Sequence, residues 1–424
     1  METPQHAGCE DYRESLRSRR TFLKGAGVLA GGGVLATMHG TAFGQTAFAA
    51  SGKAESVLVV VNLRGGADGM SLVVPYGDDG YARARPTIAV APRQLLQTDG
   101  MFGLHPGLGA LEPLWKTGRM AAVQAVGLPA PNRSHLSATE EVAEADPGST
   151  RRAGWLNRMV GMTEPAYLFG AVQVGWAVPG NEIHGRQPAL AAMDIENIRI
   201  TGPAGAISQR KAALDVTWGH APGPLGRAAR DGMQAAARWR PVVQTPRRPE
   251  HGARYPKSDL GRAMAQSARL VKADVGAEVI SVDHSSWDMH TDVGTLDDGE
   301  MRVMADDLAR SLAAFFTDLG SLGSLVTLVT ISEFGRRVAE NGDAGLDHGY
   351  GNAMLVMGGG VRGGRVYGSW PGLDPWHLVD GDLAVTTDYR SVLWEVVEAR
   401  FGSVSLARLF PGFRPQRLGM MRRA

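Results

Sequence analysis

The sequence predicts an α/β protein built on a doubly wound, mainly parallel sheet with an inserted cap region. Two observations carry the fold class. Continuous apolar runs at 57–61 (VLVVV), 120–126 (MAAVQAV) and 326–331 (VTLVTI) read as strands buried on both faces. Helical spacing appears between such runs, as at Leu108, Leu111 and Leu114, so strand alternates with helix in the order of crossover units. A chain of 424 residues permits one large domain or two smaller ones, and this unbroken alternation favours one.

Residues 1–49 stand apart from that domain. Ser18-Arg19-Arg20-Thr21-Phe22-Leu23-Lys24 resembles the twin-arginine export motif, and a Gly/Ala-rich apolar run at 25–38 and the site Ala47-Phe48-Ala49 follow it in the right order. The apolar run is too short for a membrane span, which takes about 20 apolar residues. The sequence therefore predicts a signal peptide over 1–49, a domain over 50–424, and a periplasmic or extracellular protein delivered by the twin-arginine translocase.

Removal of that segment changes the charge balance. It holds 5 of the 44 Lys/Arg and 4 of the 43 Asp/Glu, which leaves 39 of each. A neutral chain gives no support for nucleic acid or an anionic membrane as partner. The only cysteine, Cys9, leaves with the signal, so stability has to come from the core and not from disulfides.

The elements follow in order. After the strand at 57–61, the turn Asn62-Leu63-Arg64-Gly65-Gly66-Ala67-Asp68 leaves the sheet; a helix is expected over 107–116 and a strand over 120–126. The proline-stiffened loop Pro129-Ala130-Pro131 then leads to Ser134, where a helical pattern begins. Residues 163–257 carry Pro/Gly clusters and short helical patterns at 208–216 and 225–238, and are expected to form the insertion or cap. Regular order resumes with a helix at 259–275, strands at 278–282 and 326–331, and an intervening helix at 306–319. A strand at 353–357, a Gly-rich hairpin at 358–366 and a closing helix at 389–401 complete the pattern.

Acids, histidines and hydroxyls gather just past the strand ends, where open α/β sheets bind ligands. They are Asp68, Ser134 with His135, Asp288 with His290, and Glu333, with Asp347 and His348 on the loop beyond. In Asp288-x-His290 two donors can face one point from an extended loop. Carboxylates with imidazoles suit a divalent ion such as zinc, manganese, magnesium or calcium. Ser134 is placed either as a helix cap or as a nucleophile at the positive end of the helix. Arg336 and Arg64 are placed either to bridge ester oxygens or as solvated side chains.

The segments VLVVVNLRGGADG, GLHPGL, GLPAPNRSH, WDMH, SEFGRR and LDHGYGNAMLVMGGGVRGGRVYG resemble the DUF1501 family of exported bacterial proteins of uncharacterised function. That family is similar to the alkaline phosphatase and sulfatase superfamily. The resemblance implies a doubly wound, alkaline-phosphatase-like sheet, one or two divalent metals and a nucleophilic hydroxyl or modified cysteine. It matches Asp68 to the first-strand metal acid, Ser134 to the nucleophile, Asp288 with His290 to a metal-binding pair, and His348 to the final histidine ligand. Ser332-Glu333-Phe334-Gly335 departs from the superfamily's Ser/Ala-Asp-His-Gly, and Phe334 cannot ligate a metal, so a second metal would lose a donor.

Two functions follow. One is an exported metal-dependent hydrolase or transferase acting on small-molecule or glycan esters of phosphate or sulfate. The other is a catalytically silent metal- or glycan-binding scaffold.

Overall fold

The structure, a computed structural model, describes residues 37–39, 54–163, 169–198 and 204–422. The expected export signal lies outside the described residues apart from a three-residue strand, Thr37–His39.

Strand β1 (Val57–Leu63) is buried along its length and lies near the middle of the sheet. Its side chains alternate between two cores: Val57, Val59 and Val61 join one cluster, Leu58 and Val60 the other. Both faces are covered, which is why the sequence shows an apolar run there and not alternation. The other strands are β2 (Met120–Gly127), β3 (Ala171–Val174), β4 (Ala189–Ala192), β5 (Val279–His284), β6 (Val326–Ile331), β7 (Asn352–Gly358), β8 (Val366–Tyr367) and β9 (Thr387–Asp388). They are ordered β4-β3-β5-β1-β6-β7-β2-β8, with β9 also on β2 and Thr37–His39 antiparallel to β4. From β4 to β6 all neighbours are parallel, and β7 alone runs against both β6 and β2.

The principal helices are α1 (Gly69–Leu72), α2 (His135–Glu144), α3 (Ile207–Trp218), α4 (Gly223–Arg238), α5 (Asp259–Ala273), α6 (Glu300–Leu319) and α7 (Tyr389–Arg400). Helices α5 and α6 cover one face with Met264, Leu270, Leu308, Leu312 and Phe315. Helices α2 and α7 cover the other with Ala138, Val142, Val392 and Val396. The architecture is an α/β fold with a large, mainly parallel sheet between helical layers. Among the described residues no helix is long and apolar enough to cross a membrane.

Three segments differ from the sequence expectation. Residues 106–116 split into a 3-10 turn (Pro106–Leu111) and a short helix (Glu112–Lys116), because Gly107 and Gly109 weaken a regular helix and Pro113 is tolerated only in a first turn. Within 163–257, β3 and β4 extend the central sheet and do not lie over it. Four-residue strands such as AVQV and ALAA are too short to show a period. Helices α3 and α4 do form in that segment, and α3 buries no residue. The stretch 358–366 is not a hairpin, since β8 pairs parallel with β2 on the side away from β7.

Candidate metal centre

Because β1, β5 and β6 are parallel and β7 opposes both β6 and β2, the carboxyl ends of β1, β2, β5 and β6 share one edge, at which β7 enters. The loops after β6 and before β7 are fastened together there. The Gly335 N–H donates to the Tyr350 carbonyl at 3.0 Å and the Gly349 N–H to the Gly335 carbonyl at 2.9 Å. A Cβ on Gly335 would lie 1.9 Å from the Gly351 oxygen, and one on Gly349 would lie 2.4 Å from the Arg336 carbonyl carbon. Only glycine permits this approach, which brings SEFGRR against DHGYGN.

Three imidazoles meet the Asp288 carboxylate at this edge. His290 Nε2 is 3.1 Å and His348 Nε2 3.3 Å from Asp288 Oδ1, and His135 Nε2 is 3.5 Å from Oδ2. The Nε2 atoms of His290 and His348 are 3.0 Å apart. Each ring is held from behind through Nδ1: His135 by Glu333 at 2.8 Å, His290 by Asp347 at 3.1 Å, and His348 by the Arg133 carbonyl at 3.0 Å. Those acceptors place a proton on each Nδ1 and leave each Nε2 facing inward, as a lone pair toward a bound cation or, without one, as an N–H toward Asp288. At 3.0 Å beside a carboxylate the two Nε2 atoms need something positive between them, which a shared cation or a single proton supplies. Ligands about 2.0 to 2.1 Å from a tetrahedral ion are about 3.3 Å apart, and the separations of His290 and His348 from each other and from Asp288 Oδ1, 3.0 to 3.3 Å, lie near that value. Donor atoms of His135, Asp288 and His348 all lie within 4.8 Å of one another. The residues present therefore fit a divalent ion, with Glu333, Asp347 and the Arg133 carbonyl as the outer acceptors that metal-bound histidines ordinarily have.

The electrostatics follow from this packing. Burial would raise the Asp288 carboxyl, but hydrogen bonds from His135, His290 and His348 and the charge of Arg336 hold it far below the carboxylate range. Burial lowers the His135 imidazole while Asp288 and Glu333 raise it, with a net rise to about 9. For His348, desolvation outweighs the Asp288 hydrogen bond and its pKa is lowered. Glu333 is pulled down by His135 against the effect of burial, and Asp347 likewise by His290.

Not every residue singled out in the sequence enters this cluster. Asp68 is held bidentately by the fully buried Arg85, at 2.5 and 3.0 Å, and caps α1 through Ser71 N–H. It is a partner in a buried ion pair and not one of the convergent donors. The exposed Ser134 caps α2, its Oγ accepting from Ser137 N–H at 3.5 Å, and the structure gives it no hydrogen bond to the histidines or acids of the cluster. Arg336 is 1% exposed and fully engaged. It donates to the carbonyls of Gly65, Gly66, Trp287 and Leu346 and to Asp288 Oδ1 at 2.6 Å, so it anchors Asp288 and has no face left for an ester. Arg64 pairs with Asp283 at 3.0 Å and Glu182 at 3.3 Å, among Asn62 and Ser281.

His135 is the residue that sequence reasoning left out of the donor set. Its signal was position alone: it follows the cap residue, so its side chain leaves the first helical turn where β2 ends. Phe334 packs its ring 4.8 Å from His135 and 4.7 Å from His348, an apolar wall where a second ion would need a donor.

Fold and site together define an α/β protein with a histidine–carboxylate cluster at its strand ends. Residues 104–382 match the family described as "Protein of unknown function (DUF1501)", and the chain belongs to that family. Comparison with curated proteins finds no match. Among solved structures, the chain is similar to the C-terminal periplasmic domain of EcEptC from Escherichia coli in complex with Zn, at 10% identity and TM-score 0.34 over 90% of this chain and 91% of that one. It is similar to PsFucS1 sulfatase from Pseudoalteromonas sp. at 11% and 0.36, over 87% and 73%. It is also similar to phosphonate monoester hydrolase of Agrobacterium radiobacter at 11% and 0.33, over 85% and 78%. Likeness at this level carries no argument about chemistry, which has to come from the site.

Proposed function

We propose that this chain is a metal-dependent hydrolase or transferase of phosphate or sulfate esters, exported by the twin-arginine translocase to the periplasm or cell surface. One observation carries the proposal: three imidazole Nε2 atoms meet the Asp288 carboxylate, each ring fixed by its own acceptor. His135, Asp288, His290 and His348 would hold the ion. A nitrogen-rich set of this kind suits zinc better than magnesium or calcium, which take oxygen donors. A divalent ion supplies Lewis acidity toward an ester oxygen and lowers the pKa of water.

The chain's own groups do the positioning. Arg336 fixes Asp288, Glu333 fixes His135, and Phe334 keeps water from the inner side. His290 and His348 are 17% and 13% exposed while His135 is 1% exposed, so substrate reaches the cluster from the His290–His348 side. Ser134 acts as a cap in this account and water is the nucleophile.

The alternative, a silent metal- or glycan-binding scaffold, is favoured by one observation, that Ser134 has no activating base. A screen of aryl phosphates, phosphodiesters and aryl sulfates with zinc and manganese separates the two. The proposal expects turnover by wild type that Asp288→Asn abolishes; a metal-loaded wild type inert toward all three classes leaves the scaffold.

A further inference from the structure

At the opposite edge of the sheet lies a cavity of about 510 Å³, whose lining includes Arg362, Arg365, Tyr367, Leu418, Gly419 and Arg422. It sits where β2 and β8 begin, whereas the histidine cluster sits where β2 ends. Three of its lining residues are arginines and none is an acid. Some surface arginines pair with carboxylates, as Arg417 does with Glu398 at 2.6 Å and Arg152 with Glu144 at 3.1 Å. Among the described residues, Arg362, Arg365 and Arg422 have no such partner.

The nearby carboxylate that might have balanced them is already engaged. Glu395 is buried and accepts backbone N–H groups of Leu418, Gly419 and Met421 at 3.0 to 3.1 Å. Those bonds tie down the tail that forms one wall. The Arg422 N–H donates to the Gly360 carbonyl at 2.7 Å, the Arg362 N–H to the Met420 carbonyl at 2.8 Å, and the Tyr367 hydroxyl to the Arg362 carbonyl at 2.6 Å. The backbone carrying Arg362 and Arg422 is thereby fixed. The three arginines are exposed, so solvent and salt screen their repulsion in part, but together they give the concavity a positive potential. An oxyanion relieves that repulsion, and planar guanidinium groups meet phosphate or sulfate oxygens two at a time.

We infer that this cavity binds a phosphate or sulfate group, independently of the histidine cluster. The group could be carried by a free anion or by a lipid headgroup, and the two sources are separable. Wild type, the double variant Arg365→Gln/Arg422→Gln and His348→Ala are each titrated with inorganic phosphate and inorganic sulfate by calorimetry. The same three proteins are sedimented with vesicles of phosphatidylcholine alone or mixed with phosphatidylglycerol. The inference expects an anion-binding event, distinct from any at the histidine cluster, that wild type and His348→Ala share and that is at least about tenfold weaker in the double variant, the difference shrinking with added salt. Binding to the free anions identifies a soluble ligand, and binding only to phosphatidylglycerol vesicles identifies a lipid headgroup. Circular dichroism confirms folding of the double variant, and the single variant Arg365→Gln replaces it if folding is lost. The inference is overturned if no probe binds wild type, if the double variant binds as wild type does, or if His348→Ala abolishes the binding.

Discussion

His135 Nδ1 lies 2.8 Å from Glu333 Oε1, both side chains almost wholly buried, although 198 residues separate them in the chain. Glu333 also accepts the Gly65 N–H at 2.9 Å, so one carboxylate fixes both the ring and the loop after β1. Loss of such an outer acceptor typically weakens metal binding by about 10- to 100-fold. Glu333→Ala is expected to fall in that range in a competition titration against a zinc chelator, and His135→Ala to fall further. Unchanged affinity in Glu333→Ala would remove Glu333 from this role.

Asp68 provides a contrast, since the buried pair with Arg85 gives it a structural task. Arg85 also donates to Ser71 Oγ and to the Val338 and Arg337 carbonyls, so removal of its carboxylate leaves a fully buried cation without its counter-charge. Breaking such a pair costs roughly 3 to 5 kcal/mol. Asp68→Asn is expected to lose that much in urea unfolding, with the metal content of the folded fraction unchanged. Metal loss from a stably folded Asp68→Asn would make the residue a ligand after all.

These two residues show how far the sequence could be read. The strands β1, β2 and β6 and the edge at which acids and histidines gather were legible, because burial on both faces leaves continuous apolar runs and strand ends collect polar groups. What was not legible was which acid each cation takes: Arg85 and Asp68 are only 17 positions apart, yet neither carries a mark of pairing. Arg336 misled for the same reason, since its use depends on four carbonyls that sequence pattern does not reveal. Strands β3 (AVQV) and β4 (ALAA) read as part of the insertion because four residues are too few to show a period.

Ser134 tests the cap assignment. Ser134→Ala is expected to cost about 1 kcal/mol of stability, since its Oγ does no more than cap α2. On any ester that wild type turns over, the variant should keep kcat. A folded Ser134→Ala with no turnover would restore the serine as nucleophile.

Glu278 supplies a pH dependence away from the histidine cluster. Burial pushes its carboxyl up to about 7 from an ordinary 4.5, against the opposing hydrogen bond from Thr163 Oγ1 at 2.6 Å. The folded state favours the protonated form, so this stability is fully present below about pH 4.5 and is lost as pH rises through about 7. The whole effect is on the order of 3 kcal/mol at most. Urea midpoints of wild type and Glu278→Gln, compared at pH 5 and pH 8, should show wild type losing stability relative to the variant at the higher pH. A difference that does not change with pH would refute the assignment.

Elemental mass spectrometry of the natively purified protein tests the metal centre most directly. Wild type is expected to carry close to one divalent ion per chain, zinc foremost, and His348→Ala and Asp288→Asn, folded by circular dichroism, to carry little or none. Metal-free wild type that takes up no ion when supplied with zinc or manganese, or variants that keep the full complement, would contradict it.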